Sequence, residues 1–207
     1  PAVNEDVVAV TSARRMYILD ANTGKHRLEI ITGRGRSPAL AEGLAYVATT
    51  RGLLLAIDWR KRELPFEKAA RRIRVQFFLW GLVGSLPHQK GFVWGFGRPG
   101  ESFVGSPVVR AGMVYVAAES GAVYALDRSD GHLVWTFMAD AKITESPSIA
   151  GQTLYVGDAE GGLYGIDTLT GETRWRFRAD DGVTSTVVPA NGMLYVATVG
   201  GSLYAVR

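Results

Sequence analysis

The chain repeats itself every forty residues. Ser106-Pro107 recurs as Ser146-Pro147, Tyr115 as Tyr155 and Tyr195, Tyr124 as Tyr164 and Tyr204, and Asp127 as Asp167, each at a step of 40. The first half carries the same unit: Ser37-Pro38, Tyr46 and Asp58 align with Ser106-Pro107, Tyr115 and Asp127 at a constant offset of 69, and Asp20 opens the series. A period of this size means stacked supersecondary units, none of which can bury its apolar faces alone.

Each unit holds four short β-type runs, in the third unit at 107–110, 113–118, 122–126 and 132–138. Ala111-Gly112, Gly151-Gln152 and Asn191-Gly192 read as tight hairpin turns in which Gly or Asn supplies a positive φ, and Gly121, Gly161 and Gly201 serve the next hairpin. Asp20-x-x-x-Gly24, Asp127-x-x-x-Gly131 and Asp167-x-x-x-Gly171 form the third turn, where the carboxylate accepts backbone N–H groups and the glycine turns left-handed. Four antiparallel strands per forty residues predict an all-β chain: a β-propeller of four-stranded blades, about five of them, in a single domain over 1–207. The blades are expected near 1–35, 36–100, 101–141, 142–180 and 181–207. Trp94, Trp135 and Trp175 fall in fourth strands, where a large flat side chain serves packing between blades; Leu28 takes that place in the first blade and predicts a weaker contact.

These residues carry a family resemblance. Ala125-x-Asp127-x-x-x-Gly131-x-x-x-Trp135 and Gly165-x-Asp167-x-x-Thr170-Gly171-x-x-x-Trp175 resemble the tryptophan-docking repeat of the pyrroloquinoline-quinone-like propellers. The resemblance covers nearly the whole chain and implies the propeller fold. For function it implies several things, since the repeat serves quinoprotein dehydrogenases, the lipoprotein scaffold of outer-membrane β-barrel assembly, and sensor domains of kinases. The dehydrogenases of that family clamp their quinone with a vicinal cysteine disulfide, a stacking tryptophan and calcium in a longer eight-bladed ring. This chain has no cysteine.

The repeat is interrupted once. Trp94 lies 36 residues after Asp58 where eight are expected, so the second blade carries an insertion of 28 residues within 59–90. Eight basic residues (Arg60, Lys61, Arg62, Lys68, Arg71, Arg72, Arg74 and Lys90) face only Glu63 and Glu67 there, a local +6 in a chain of net +3. One basic segment on an otherwise mildly acidic protein reads as a local contact or a solvated loop, not as a nucleic-acid groove. Residues 72–77 alternate like a strand, whereas Pro65 opens a helical pattern that places Ile73, Phe77 and Trp80 on one face; a short helix is the expectation. Two readings follow for this apolar and basic segment. It is either an anchor for a partner subunit or an anionic membrane surface, or a flap folded back on the propeller.

The chain opens with the start of a blade and stops after a third strand. The expectation is that an upstream segment or a partner chain completes the last blade, in a longer parent of seven or eight blades. No run of 18 apolar residues occurs.

Catalytic chemistry finds little support. His26, His88 and His132 make no metal-ligand spacing. Gly95-x-Gly97-x-x-Gly100 contains Pro99 and precedes no helix, so it reads as a blade connection. Arg34-Gly35-Arg36 reads as an exposed turn, and Glu119, Asp158 and Glu160 as hairpin-tip carboxylates. The sequence therefore predicts no catalytic residue, metal site or cofactor. It predicts a non-catalytic interaction or scaffolding module, periplasmic or extracellular and associated with a membrane, binding through Arg71, Arg72, Arg74, Phe77, Phe78 and Trp80. The alternatives are the ligand-sensing domain of a bacterial receptor or kinase, and a quinone-dependent dehydrogenase fragment.

Overall fold

A computed structural model describes residues 1–62, 64–85 and 89–207, with the side chains of Pro65 and Lys68 set aside. His88 lies outside the described residues. The strands form five antiparallel sheets, one per repeat. Blade 1 comprises β1 (Ala2–Val3), β2 (Val7–Ser12), β3 (Arg15–Asp20) and β4 (His26–Ile31). Blade 2 comprises β5 (Ala39–Ala41), β6 (Leu44–Ala48), β7 (Leu53–Asp58) and β8 (Phe92–Gly97), with helix α1 (Pro65–Leu79) inserted before its last strand. Blade 3 runs through β9 (Phe103–Arg110), β10 (Met113–Ala118), β11 (Ala122–Asp127) and β12 (Leu133–Met138). Blade 4 contains β13 (Ser148–Ala150), β14 (Thr153–Gly157), β15 (Gly162–Asp167) and β16 (Thr173–Arg178). Blade 5 has three strands, β17 (Val188–Ala190), β18 (Met193–Ala197) and β19 (Leu203–Val206). The propeller of four-stranded blades with an incomplete last blade is thus the one expected. Strand β9 begins earlier than its repeat suggests, because Gly105 adopts φ +60° and absorbs a bulge that lets pairing resume at Val104.

The turns hold as their residues dictate. Ala111, Gly112, Gly151, Asn191 and Gly192 all have positive φ. In the third turn Asp20 Oδ1 accepts the N–H groups of Asn22 (3.2 Å) and Thr23 (3.0 Å), and Asp167 Oδ1 those of Leu169 (2.8 Å) and Thr170 (3.0 Å). Every third-to-fourth strand pairing then carries a register shift one step further along. In blades 1 and 4 the residue at that bulge is an arginine, and it reaches back to its own Asp: Arg27 to Asp20 (2.5 Å) and Arg174 to Asp167 (2.6 Å). The Arg27 guanidinium, with Thr23, holds the Asp20 carboxyl well below the usual carboxylate range. The Thr170 N–H and then Arg174 bring Asp167 down to about 2.

A size rule runs across each blade. Tyr46, Ala56 and Trp94 stand directly opposite one another on strands two, three and four, as do Tyr115, Ala125 and Trp135, and Tyr155, Gly165 and Trp175. The small central residue lets the two aromatic rings meet over it, with centroids 5.8 to 5.9 Å apart in all three. Each of the first two tryptophans then docks on the Asp-Gly turn of the next blade. Trp94 donates its N–H to Arg128 O (2.8 Å), and Trp135 to Thr168 O (3.1 Å), which also accepts the Tyr115 hydroxyl (3.0 Å). Gly131 and Gly171 lie against the ring faces: an added Cβ would stand 2.5 Å from Trp94 and 2.7 Å from Trp135.

Blade 1 inverts the rule, with Ala9, Ile18 and Leu28 in register. Leu28 makes no ring N–H bond of the kind that Trp94 and Trp135 make. Leu28 is fully buried in one apolar cluster with Trp59, so the large ring comes from the neighbouring turn instead of the fourth strand.

The three glycines at 24, 131 and 171 share φ near +70° but differ in surroundings, since nothing lies within 4 Å of a Cβ on Gly24. Alanine costs about 1–2 kcal/mol of left-handed strain at each; at Gly131 and Gly171 the collision with tryptophan adds about 1–3 kcal/mol more. Denaturant unfolding is expected to rank Gly24→Ala well above the other two variants. Acid is expected to weaken the fold as well. Carboxyls whose pKa is lowered on folding (Asp20, Asp58, Asp127, Asp167 and Asp180) contribute fully above their unfolded value of about 4 and lose that contribution as pH falls through their folded values. Melting temperature followed from pH 6 to ~2 should fall through the acid end, and less steeply in Asp167→Asn.

Candidate interaction surface

The insertion forms a helix, as its residues require. Pro65 occupies the first helical position, where a missing N–H costs nothing. Glu67 accepts the N–H of Leu64 (2.9 Å) and pairs with Lys90, whose ammonium, followed by that N–H, lowers its pKa. The far end closes in a Schellman turn: Gly81 (φ +73°) donates to Phe78 O and Leu82 to Phe77 O, both at 2.9 Å. Both ends are tied to the propeller. Arg60 pairs with Asp58 at the entrance, while the Gln89 side chain bonds Ile31 N (2.6 Å) and O (2.9 Å) at the exit, acting as a one-residue strand on the edge of β4.

How α1 is turned decides what it can do. Arg71, Val75 and Phe78 are only partly exposed, and Arg71, Arg72, Val75 and Gln76 share a groove with Arg15, Glu29 and Ile31 of blade 1. The opposite face carries Phe66 (67% exposed), Ile73 (55%), Phe77 (40%) and Trp80 (62%). Their spacing of seven, four and three residues puts them on one stripe, and Phe77 and Trp80 touch, with centroids 6.0 Å apart. Arg72 and Arg74, both exposed, flank the stripe on its two sides. Of the six residues read from the sequence, Arg74, Phe77 and Trp80 are therefore outward, Arg72 is exposed at the rim of the groove with blade 1, and Arg71 and Phe78 lie toward the propeller. Phe66 completes the stripe and was missed because it precedes the basic run; its distance of seven residues from Ile73 was the available signal.

The carboxylates of the rim are occupied by the fold. Asp158 is fully buried and accepts Gly162 N (2.8 Å), Glu160 N (2.9 Å) and the Tyr164 hydroxyl (2.7 Å), so it caps its turn instead of standing at the tip. Burial, with this bond, pushes Tyr164 up to about 12. Glu119 and Glu160 make loose surface pairs with Lys142 (4.0 Å) and Arg178 (3.7 Å). Gly95 and Gly97 lie in β8 opposite Leu55 and Leu53, and a turn into β9 follows them, so they form no phosphate cradle. Arg36 is held by its Nε to Phe103 O (3.1 Å). Among the described residues no three His, Asp or Glu gather as a metal site, and no helix is long and apolar enough to cross a membrane.

Solved structures share this architecture. BamB from Moraxella catarrhalis matches with a TM-score of 0.73 at 18% identity, over 99% of this chain and 59% of its own. The quinohemoprotein alcohol dehydrogenase ADHIIG from Pseudomonas putida HK5 matches with a TM-score of 0.69 at 16% identity, over 99% of this chain and 40% of that one. The computationally designed Ika8 protein matches with a TM-score of 0.67 at 14% identity, over 97% and 58%. The chain thus spans about three-fifths of the BamB structure, and at these identities the likeness is one of fold. No curated protein sequence matches it. A family model for outer membrane protein assembly factor BamB matches residues 89–145 and 138–207, more than half of the chain, and the chain belongs to that family.

Proposed function

We propose that this propeller is a non-catalytic scaffold that holds a protein partner through the outward stripe of α1, in the periplasm or at the outer membrane. The observation that carries the reading is the orientation of the helix: it is capped at both ends, joined through Glu67 to Lys90 in an inserted segment whose Arg60 and Gln89 bond Asp58 and Ile31, and yet it turns Phe66, Ile73, Phe77 and Trp80 to solvent. A helix held in place with its apolar face outward has already lost the entropy that a free peptide would lose on binding. Aromatic anchors flanked by arginine are also the composition of interface hot spots. The family description, an outer membrane protein assembly factor, supports both the scaffolding role and the compartment. A dehydrogenase role finds less support, because the cysteine pair that the quinone enzymes use has no counterpart in this chain.

Arg72 and Arg74 beside the stripe favour a second reading, an anionic membrane surface as the contact. One experiment separates the two. A photo-crosslinking residue placed at Phe77 or Trp80 in cells should give a discrete protein adduct. The triple variant Ile73→Ser, Phe77→Ser, Trp80→Ser should weaken that partner at least about tenfold with an unchanged melting temperature. Vesicles containing phosphatidylglycerol, compared with phosphatidylcholine alone, test the membrane reading by co-sedimentation. Adducts forming only at blade surfaces remote from α1 would remove the helix from the interface.

A further inference from the structure

The inserted segment leaves β7 along the side of blade 1. Trp59 is buried in one cluster with Leu28, and Arg60 turns back onto Asp58 (2.9 Å), so the first two residues past the strand are fixed in place. Arg62 is thereby laid beside the third turn of blade 1, where it shares a cavity of about 330 Å³ with Asp20, Thr23, Lys25, His26 and Arg27. Lys25 and Arg62 come from different blades, are both exposed, and have no carboxylate partner among the described residues.

Arg27, the third cation of this cavity, is held differently. Its side chain is only 15% exposed, and Asp20 Oδ2 accepts its Nε (3.1 Å) and Nη2 (2.5 Å), which fixes the guanidinium while Nη1 takes no part in the pair. The Thr23 hydroxyl donates to the other oxygen, Asp20 Oδ1 (2.9 Å), so both oxygens of the one carboxylate are already engaged. Three cations thus face a single carboxylate whose charge is spent on one of them. This rim is open in the packed array as well: the corresponding residues of blade 3, Asp130, His132 and Val134, are exposed although Trp94 of blade 2 docks on that turn and Trp135 docks blade 3 on blade 4.

We propose that the cavity between Arg62 and the third turn of blade 1 binds a phosphate group, carried either by a lipid headgroup or by a soluble compound. Arg62 supplies a planar fork of N–H donors, Arg27 a donor already oriented by Asp20, and Lys25 a mobile point charge. Three separate cations suit a tetrahedral anion with three or more oxygens and up to two charges; a carboxylate, with two oxygens and one charge, leaves part of the set unused. The site uses none of the residues of the outward stripe of α1, so it stands or falls apart from the protein-binding role of that helix.

Inorganic phosphate is the probe, titrated at constant ionic strength into isotope-labelled protein while backbone amide shifts are followed by NMR. Saturable shifts centred on Thr23, Lys25, Arg27 and Arg62 are expected, with acetate at the same concentrations giving much smaller ones. The double variant Lys25→Gln, Arg62→Gln should weaken phosphate at least about tenfold. Both side chains are exposed, so its melting temperature should not move, whereas Arg27→Gln would strip Asp20 of its partner and is avoided. Lys142→Gln, at an exposed lysine of another rim, should leave the titration unchanged. Co-sedimentation with phosphatidylglycerol vesicles that is lost in the double variant would assign the phosphate to a lipid; phosphate shifts without such co-sedimentation would assign it to a soluble compound. Shifts as large with acetate as with phosphate, shifts undiminished in the double variant, or shifts spread equally over Arg72, Arg74 and Lys142 would overturn the proposal.

Discussion

A four-stranded blade of forty residues has two apolar faces and too little substance to cover either, so everything in this chain depends on how one blade grips the next. The grip is a tryptophan on a fourth strand pressed flat against the glycine of the following turn, with its N–H given to a carbonyl one residue past the Asp. The turn must therefore be rigid and lack a side chain at one point. The Asp carboxylate supplies the first condition, gathering two backbone N–H groups at Asp167 and the Ser129 N–H and hydroxyl at Asp127, and the glycine supplies the second. Replacing a buried tryptophan of this kind by alanine costs about 3–5 kcal/mol, a large share of the stability of a typical domain.

The blade interior is arranged to present that tryptophan. A tyrosine, a small residue and the tryptophan lie in one row across three strands, and the small residue in the middle is what allows two large rings to touch. Where the first blade carries Ile18 and Leu28 instead, the large ring is returned from the opposite side by Trp59. Interiors conserve volume more strictly than identity, and this interface shows the principle within a single chain. The bulge in the third-to-fourth strand pairing turns Arg27 and Arg174 back onto their Asp, which ties the turn's electrostatics to the strand geometry.

The insertion uses this rigidity for a different end. Because the inserted segment is fastened where it leaves and rejoins the blade edges, by Arg60 on Asp58 and Gln89 on Ile31, α1 can keep its half-buried side toward the propeller and its aromatic side in solvent. A helix that had to stabilise itself by packing would do the reverse. Propellers tolerate such an insertion because the strands on either side of it, β7 and β8, still pair in the register that the other blades use.

The forty-residue period, the turns, the blade type and the site of the insertion were all legible from residue order. Each of them is a local property: a left-handed glycine, an Asp four residues before it and a tryptophan four residues after it act within a dozen residues. For the insertion, Pro65 and the spacing of Ile73, Phe77 and Trp80 favoured a helix while the alternation over 72–77 favoured a strand, and the structure decided for the helix. The tertiary structure alone decided which side of α1 faces outward, why Asp158 is a buried cap and no rim carboxylate, and that Trp59 replaces a missing fourth-strand tryptophan. These depend on which blade edges meet in space, and contacts between residues tens of positions apart are set by packing, which residue order does not display.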